Sequence, residues 1–210
     1  MYLNTLVGNA KRGDTDARYK LALLYQEGIG VPRSFKTAAE NFKAAAEKGH
    51  LNALNSIGLY TRFGIGAKAD DQKAEQYFKQ AVLLNNPYAF YNLARYYLDK
   101  KDYVQAFVLA DVGRNHLDKS VDAKTVRRFT DLRKKANKKL TPLQKAYLTR
   151  FLPFWLSSVL TKDDLNGRIY PKKLPLPPAA MIRETTFLFP LKRDAFDGKY
   201  KTFFPFMPAW

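Results

Sequence analysis

Cysteine is absent from this 210-residue chain, which excludes disulfide staples, thiolate nucleophiles and cysteine-ligated zinc together. Histidine occurs only at 50 and 116, and the pair offers no constellation for a metal or a catalytic relay. Acidic residues are scarce beside basic ones, 19 against 36, giving a formal net charge of +17. That excess predicts attraction to phosphate, acidic lipid headgroups or an acidic protein surface. No apolar run approaches the roughly 20 residues that span a bilayer. Met1 to Ala10 has neither a basic start nor a sustained apolar stretch, so it does not read as a signal peptide, although a processed mature chain would look the same. The expectation is a soluble protein, with the cytoplasm as its default compartment.

What the chain does contain is an internal repeat of 36 residues. Ala17, Leu21, Gly28, Gly30, Ala38, Phe42, Ala45 and Gly49 recur as Ala53, Ile57, Gly64, Gly66, Ala74, Phe78, Ala81 and Asn85. A period of this length signals stacked helix pairs. In the first unit Ala17, Leu21, Ala22, Leu24 and Tyr25 follow helical spacing until Gly28 and Gly30 stop the helix, since glycine tolerates the positive φ of a helix end. Ser34 then caps a second helix whose buried stripe is Phe35, Ala38, Ala39, Phe42, Ala45 and Ala46. The second unit repeats the plan with Asp70 as the cap. A third begins in register at Ala89, Leu93, Ala94, Tyr96 and Tyr97, but only 32 residues separate Ala74 from Ala106, and the four-residue loss falls in the turn.

Ala17-x3-Leu21-Ala22-x2-Tyr25-x2-Gly28-x-Gly30-Val31, followed by Ala38-x2-Asn41-Phe42-x2-Ala45-Ala46-x2-Gly49-His50, resembles the Sel-one-like repeat family, relatives of the tetratricopeptide repeats. Departures from its pattern are Ser34 for the acidic cap, Asn41 for tryptophan, Thr61 for the second tyrosine, Ala67 for valine, and the short third turn. The resemblance implies an all-α fold, a right-handed α-solenoid of stacked antiparallel helix pairs. Three units, the third shortened, then fill residues 1–120.

Residues 121–150 read as basic capping helices that cover the end of the stack. Val126, Phe129, Leu132 and Ala136 form a weaker stripe, and Thr141-Pro142-Leu143-Gln144 is a fresh helix start with a capping box. From Phe151 the helical period dissolves, and eight of the eleven prolines fall in residues 151–210. This irregular C-terminal extension is rich in aromatics, unlike ordinary disordered linkers. Phe154, Trp155, Phe187, Phe189, Phe203, Phe204 and Trp210 mark it as a docking arm, packed on its own repeats or on another chain. Residues 185–189 and 200–204, separated by the turn-like stretch Asp194 to Gly198, read as a candidate short hairpin.

Chemistry is poorly represented. Asp70-Asp71 at a helix start serves as cap and dipole partner, and the Gly-x-Gly turns lack the strand, glycines and lysine of a phosphate loop. No catalytic residue, metal site or cofactor is assigned, no small-molecule substrate is expected, and the chain reads as a non-enzyme. Charge is more telling, because the segments 1–120, 121–150 and 151–210 carry +5, +8 and +4. Lys124, Arg127, Arg128, Lys134, Lys135, Lys138 and Lys139 recur at three- and four-residue steps, on one broad helical face that reads either as solvated or as an anion contact.

The resemblance to tetratricopeptide-like stacks implies that the first helix of each pair lines a concave groove. Positions between the packing residues then point into it: Asp16, Tyr19, Leu23 and Glu27; Asn52, Asn55, Leu59, Arg62 and Phe63; Tyr88, Tyr91, Arg95 and Asp99. Amides and guanidinium suit a peptide backbone, and aromatics supply contact area. The expected function is a protein-binding adaptor or assembly subunit of a larger complex. Alternatives are a basic component of a ribonucleoprotein assembly, an inhibitor or immunity-type partner, and a peripheral membrane complex subunit, with nucleic acid or an anionic membrane met through the basic helix.

Overall fold

The computed structural model describes residues 2–117 and 121–157, with side chains through residue 149. The expected docking-arm residues Phe187, Phe189, Phe203, Phe204 and Trp210, and the hairpin at 185–189 and 200–204, lie outside the described residues. Three antiparallel pairs form the stack: α2 (Thr15–Glu27) with α3 (Phe35–Ala46), α4 (Leu51–Phe63) with α5 (Asp71–Leu83), and α6 (Pro87–Asp99) with α7 (Tyr103–Asn115). A preceding helix, α1 (Tyr2–Lys11), packs on α2, and α8 (Ala123–Lys139) and α9 (Pro142–Ser157) pack on α7. This is an all-α solenoid of stacked helix pairs.

Every repeat boundary is set by a cap. Asp14, His50 and Asn86, spaced at the 36-residue period, each accept a backbone N–H from the first turn of α2, α4 and α6. Ser34 and Asp70 do the same for α3 and α5, as their sequence positions foretell. The first helices of units one and two end on Gly28 and Gly64 at φ 75° and 66°. In the third unit's turn Lys101 adopts φ 62° without a glycine, and in the turn between units Asn85 adopts φ 59° where Gly49 of the previous unit has 81°. The connection between α6 and α7 is Lys100 to Asp102, three residues where the earlier pairs use seven, so the deletion falls in the turn.

The core runs through the stack as small residues alternating with large ones. Ala38, Phe42 and Ala45 recur as Ala74, Phe78 and Ala81, all fully buried. Burying each phenylalanine contributes about 1.5–3 kcal/mol. Gly113 of α7 faces Phe90 and Phe129, where an added Cβ would come within 2.5 Å of the Phe90 Cβ and 2.6 Å of the Phe129 ring. The closing helix is thereby held against α7 at van der Waals distance.

Four sequence expectations are corrected. Phe35, assigned to a buried stripe, is 43% exposed, because it stands at the first turn of α3 beside the Arg33 guanidinium. On α8 Val126 is exposed and Thr125 is buried, which moves the first position of the inner face by one residue while Phe129, Leu132 and Ala136 stay buried as expected. Residues 2–11, placed in the repeat region without a helix of their own, form α1, whose Leu6 and Ala10 cluster with Ala17 and Leu21. Finally, the helical period does not end at Phe151: α9 continues through Pro153 to Ser157, so Phe154 and Trp155 are helical. Pro153 lacks an N–H for the carbonyl four residues back. That is one bond out of the helix, which continues four residues further. The start of α9 is secured by the foreseen capping box, with Thr141 N–H donating to Gln144 Oε1 at 2.9 Å and Gln144 N–H to Thr141 Oγ1 at 3.2 Å.

Candidate partner-binding face

The first helices of the three pairs, α2, α4 and α6, are tied to one another by a ladder of polar and aromatic contacts. Between α2 and α4, the His50 ring stacks on Tyr19 at 4.5 Å and its Nε2 lies 3.1 Å from Asp16. Farther along, the Tyr60 hydroxyl donates to Gln26 at 2.9 Å. Burial and the nearby Glu27 carboxylate raise the Tyr60 pKa, so the phenol remains a donor.

Between α4 and α6, Asn86 is the deepest polar group. Its Oδ1 accepts from the Tyr88 and Ala89 amides, while its Nδ2 donates to the Leu51 carbonyl at 3.1 Å and to Asn52 Oδ1 at 3.3 Å. Asn92 Nδ2 donates to Asn55 Oδ1 at 2.8 Å, and Arg62 pairs with Asp99. The Arg62 guanidinium also lies over the rings of Phe63 and Tyr96. Arg95 lies over Tyr91, which packs edge-on to Phe129 of α8.

Of the thirteen groove candidates, Asp16, Tyr19, Asn52, Asn55, Arg62, Tyr91 and Asp99 thus contact neighbouring helices. Leu23 and Leu59 are half-buried, and Glu27, Phe63, Tyr88 and Arg95 are exposed. Asn92, His50, Gln26 and Tyr60 share the same ladder but were not among the candidates. Their signal is spacing: Asn55 to Asn92 and Arg62 to Asp99 are each one period plus one residue, the separation of side-by-side positions on successive first helices.

Behind this face, Glu75 of α5 accepts from Tyr97 at 2.6 Å and from Tyr96 at 3.1 Å, and pairs with Lys79 at 2.7 Å. Burial alone would raise its pKa, but Lys79 and the two phenols outweigh it and hold the carboxyl below its ordinary value. Both phenols are in turn pushed up, first by burial and then by Glu75. The buried Asp111 of α7 lies 2.6 Å from Arg133, whose guanidinium covers the Phe107 ring.

On α8, Lys124, Arg127, Arg128, Lys134, Lys135, Lys138 and Lys139 are all exposed. Among the described residues no group of three or more His, Asp and Glu side chains is placed to hold a metal ion, and no helix is long and apolar enough to cross a membrane.

The Sel1 repeat family model matches residues 15–50 and 51–86, the first two helix pairs with their caps. An uncharacterized protein of Neisseria meningitidis serogroup B is 34% identical over 73 residues, 35% of this chain and 16% of that protein. The chitin synthase regulator SKT5 of Saccharomyces cerevisiae is 33% identical over 85 residues, 40% of this chain and 12% of that protein. The chain therefore matches only about a sixth or less of the length of these curated relatives. Among solved structures, a protective antigen of uropathogenic Escherichia coli strains displaying an SLR fold is similar over 84% of this chain and 45% of its own, with a TM-score of 0.52 at 21% identity. At that identity the likeness speaks for the fold alone. Sel1 repeats are typically protein-interaction modules without catalytic activity.

Proposed function

From the premise that this chain carries two Sel1 repeats, we propose that it is a non-enzymatic adaptor or assembly subunit that binds an extended partner segment along α2, α4 and α6. The observation that carries this reading is the Asn55–Asn92 pair. The bond between the two amides leaves both Asn55 Nδ2 protons, the second Asn92 Nδ2 proton and the Asn92 Oδ1 without a protein partner among the described residues, donors and an acceptor that can meet a peptide group. Exposed Phe63 and Tyr88 flank it with apolar area and Arg95 adds a cation, the residue types that dominate recognition surfaces. The yeast relative is a chitin synthase regulator by name, and regulation by binding is the kind of role such a face supports.

Exposed positions make the better test, because Tyr19, Asn55 and Tyr91 also support neighbouring helices. Phe63→Ala, Tyr88→Ala and Arg95→Ala together are expected to abolish recovery of protein partners in nuclease-treated affinity purification, with helical circular dichroism unchanged. Equal recovery by the triple variant would remove these helices from the binding role.

A further inference from the structure

Independently of the α2–α4–α6 face, we infer that the outer face of α8 is a docking strip for the phosphate backbone of a nucleic-acid duplex, read without regard to sequence. At 3.6 residues per turn the seven exposed cations fall within an arc of about 140° and run along about 22 Å of helix. The opposite side, with Phe129, Leu132 and Ala136, is buried against α7. The eighth basic residue, Arg133, lies off the arc and is neutralised by Asp111. The helix thus separates a cation it pairs internally from seven that no described carboxylate meets within ion-pair distance. Two of them, Lys138 and Lys139, complement the C-terminal end of the helix dipole; the other five have no such role. Asp131 is the one acidic residue within the arc.

Such crowding of like charge is unfavourable alone and is relieved by a dense row of anions. A duplex presents one charge per roughly 1.7 Å of axis, and each cation that meets a phosphate releases a condensed counterion. Two features of α8 select this occupant. Its apolar side is committed to the core, so it has nothing to insert into a bilayer as interfacial helices do. Its exposed face carries no aromatic on which the bases of a single strand would stack. With one side fixed to α7, the helix lies across a backbone and does not enter a groove, so the contacts position without specifying.

The test uses the full chain and a 30-base-pair mixed-sequence DNA duplex in fluorescence anisotropy. If about four phosphates are contacted, affinity should fall about 100-fold between 50 and 200 mM salt. Arg127→Glu, Arg128→Glu, Lys134→Glu and Lys135→Glu together should abolish binding. Lys20→Glu, Lys36→Glu, Lys68→Glu and Lys73→Glu, exposed sites with the same total charge change, should retain most of it. Asp131→Lys should tighten it and steepen the salt dependence by about one phosphate contact. The inference is overturned if the two quadruple variants lose affinity equally, or if the α8 variant still binds. Equal or tighter binding of polyglutamate or phosphatidylserine vesicles would overturn it as well.

Discussion

Asn86 shows how one side chain joins two repeats. It is 1% exposed and uses both amide atoms, capping its own helix while holding the Leu51 carbonyl of the previous unit. Asn86→Ala removes a cap, leaving the Tyr88 amide without its acceptor, the Ala89 amide with only the residue-86 backbone carbonyl, and the Leu51 carbonyl without its donor from the next repeat, so a loss of about 2 kcal/mol is expected in urea titration. An unchanged midpoint would mean that water replaces the amide at no cost. Asp14 and His50 hold the same position in the repeat, and the sequence showed His50 as part of a Gly-His boundary without its cap role or its stacking on Tyr19. Identity at a repeat position is legible in a single chain. A contact made across 36 residues becomes legible only after the stack has been laid out, which is why Asn92 was missed although Asn55 was not.

The helices themselves separate what periodicity predicts from what packing decides. Gly8 of α1 and Gly113 of α7 are both helical, but an added Cβ meets only the end of Arg12 at 3.7 Å at Gly8, whereas at Gly113 it meets Phe90 and Phe129. Gly8→Ala should therefore stabilise by up to about 1 kcal/mol through helix propensity. Gly113→Ala should destabilise by about 1–2 kcal/mol, because overpacking exceeds that gain. Thermal melts of the two variants should move in opposite directions, and a shared direction would refute the close fit of α7 to α8. The core stripes, caps and shortened turn were readable because each follows from local spacing. The start of α1 was not, since Leu3, Leu6, Val7 and Ala10 gain meaning only against Leu21, and neither was Thr125 in place of Val126, a change confined to the first turn of α8. Pro153 reads as a stop in the sequence, whereas in the fold it removes one bond and α9 continues to Ser157.

Across the stack, the junctions between units are built from different materials. The Gly64–Gly66 turn of the second unit fits the start of α3 so closely that a Cβ at Gly66 would lie 2.6 Å from the Phe35 carbonyl oxygen, a backbone fit without charge. The three-residue turn of the third unit is too short for that fit. There Lys100 reaches Asp71 at 2.6 Å, Arg62 pairs with Asp99, and Glu75 takes the two tyrosines. Glu75 is held below its ordinary pKa, so its contribution is full above the unfolded-state value and disappears as pH falls through the lowered folded-state one. Native-state hydrogen exchange at a pH below the ordinary carboxylate range should therefore show α6 and α7 opening before α2 and α3, whereas at neutral pH their protection should be closer. Simultaneous exchange at both pH values would contradict the division. The four residues missing from the third turn thus act as a perforation line: acid would tear the array between its second and third units, leaving the two faithful repeats as the longest-lived fragment.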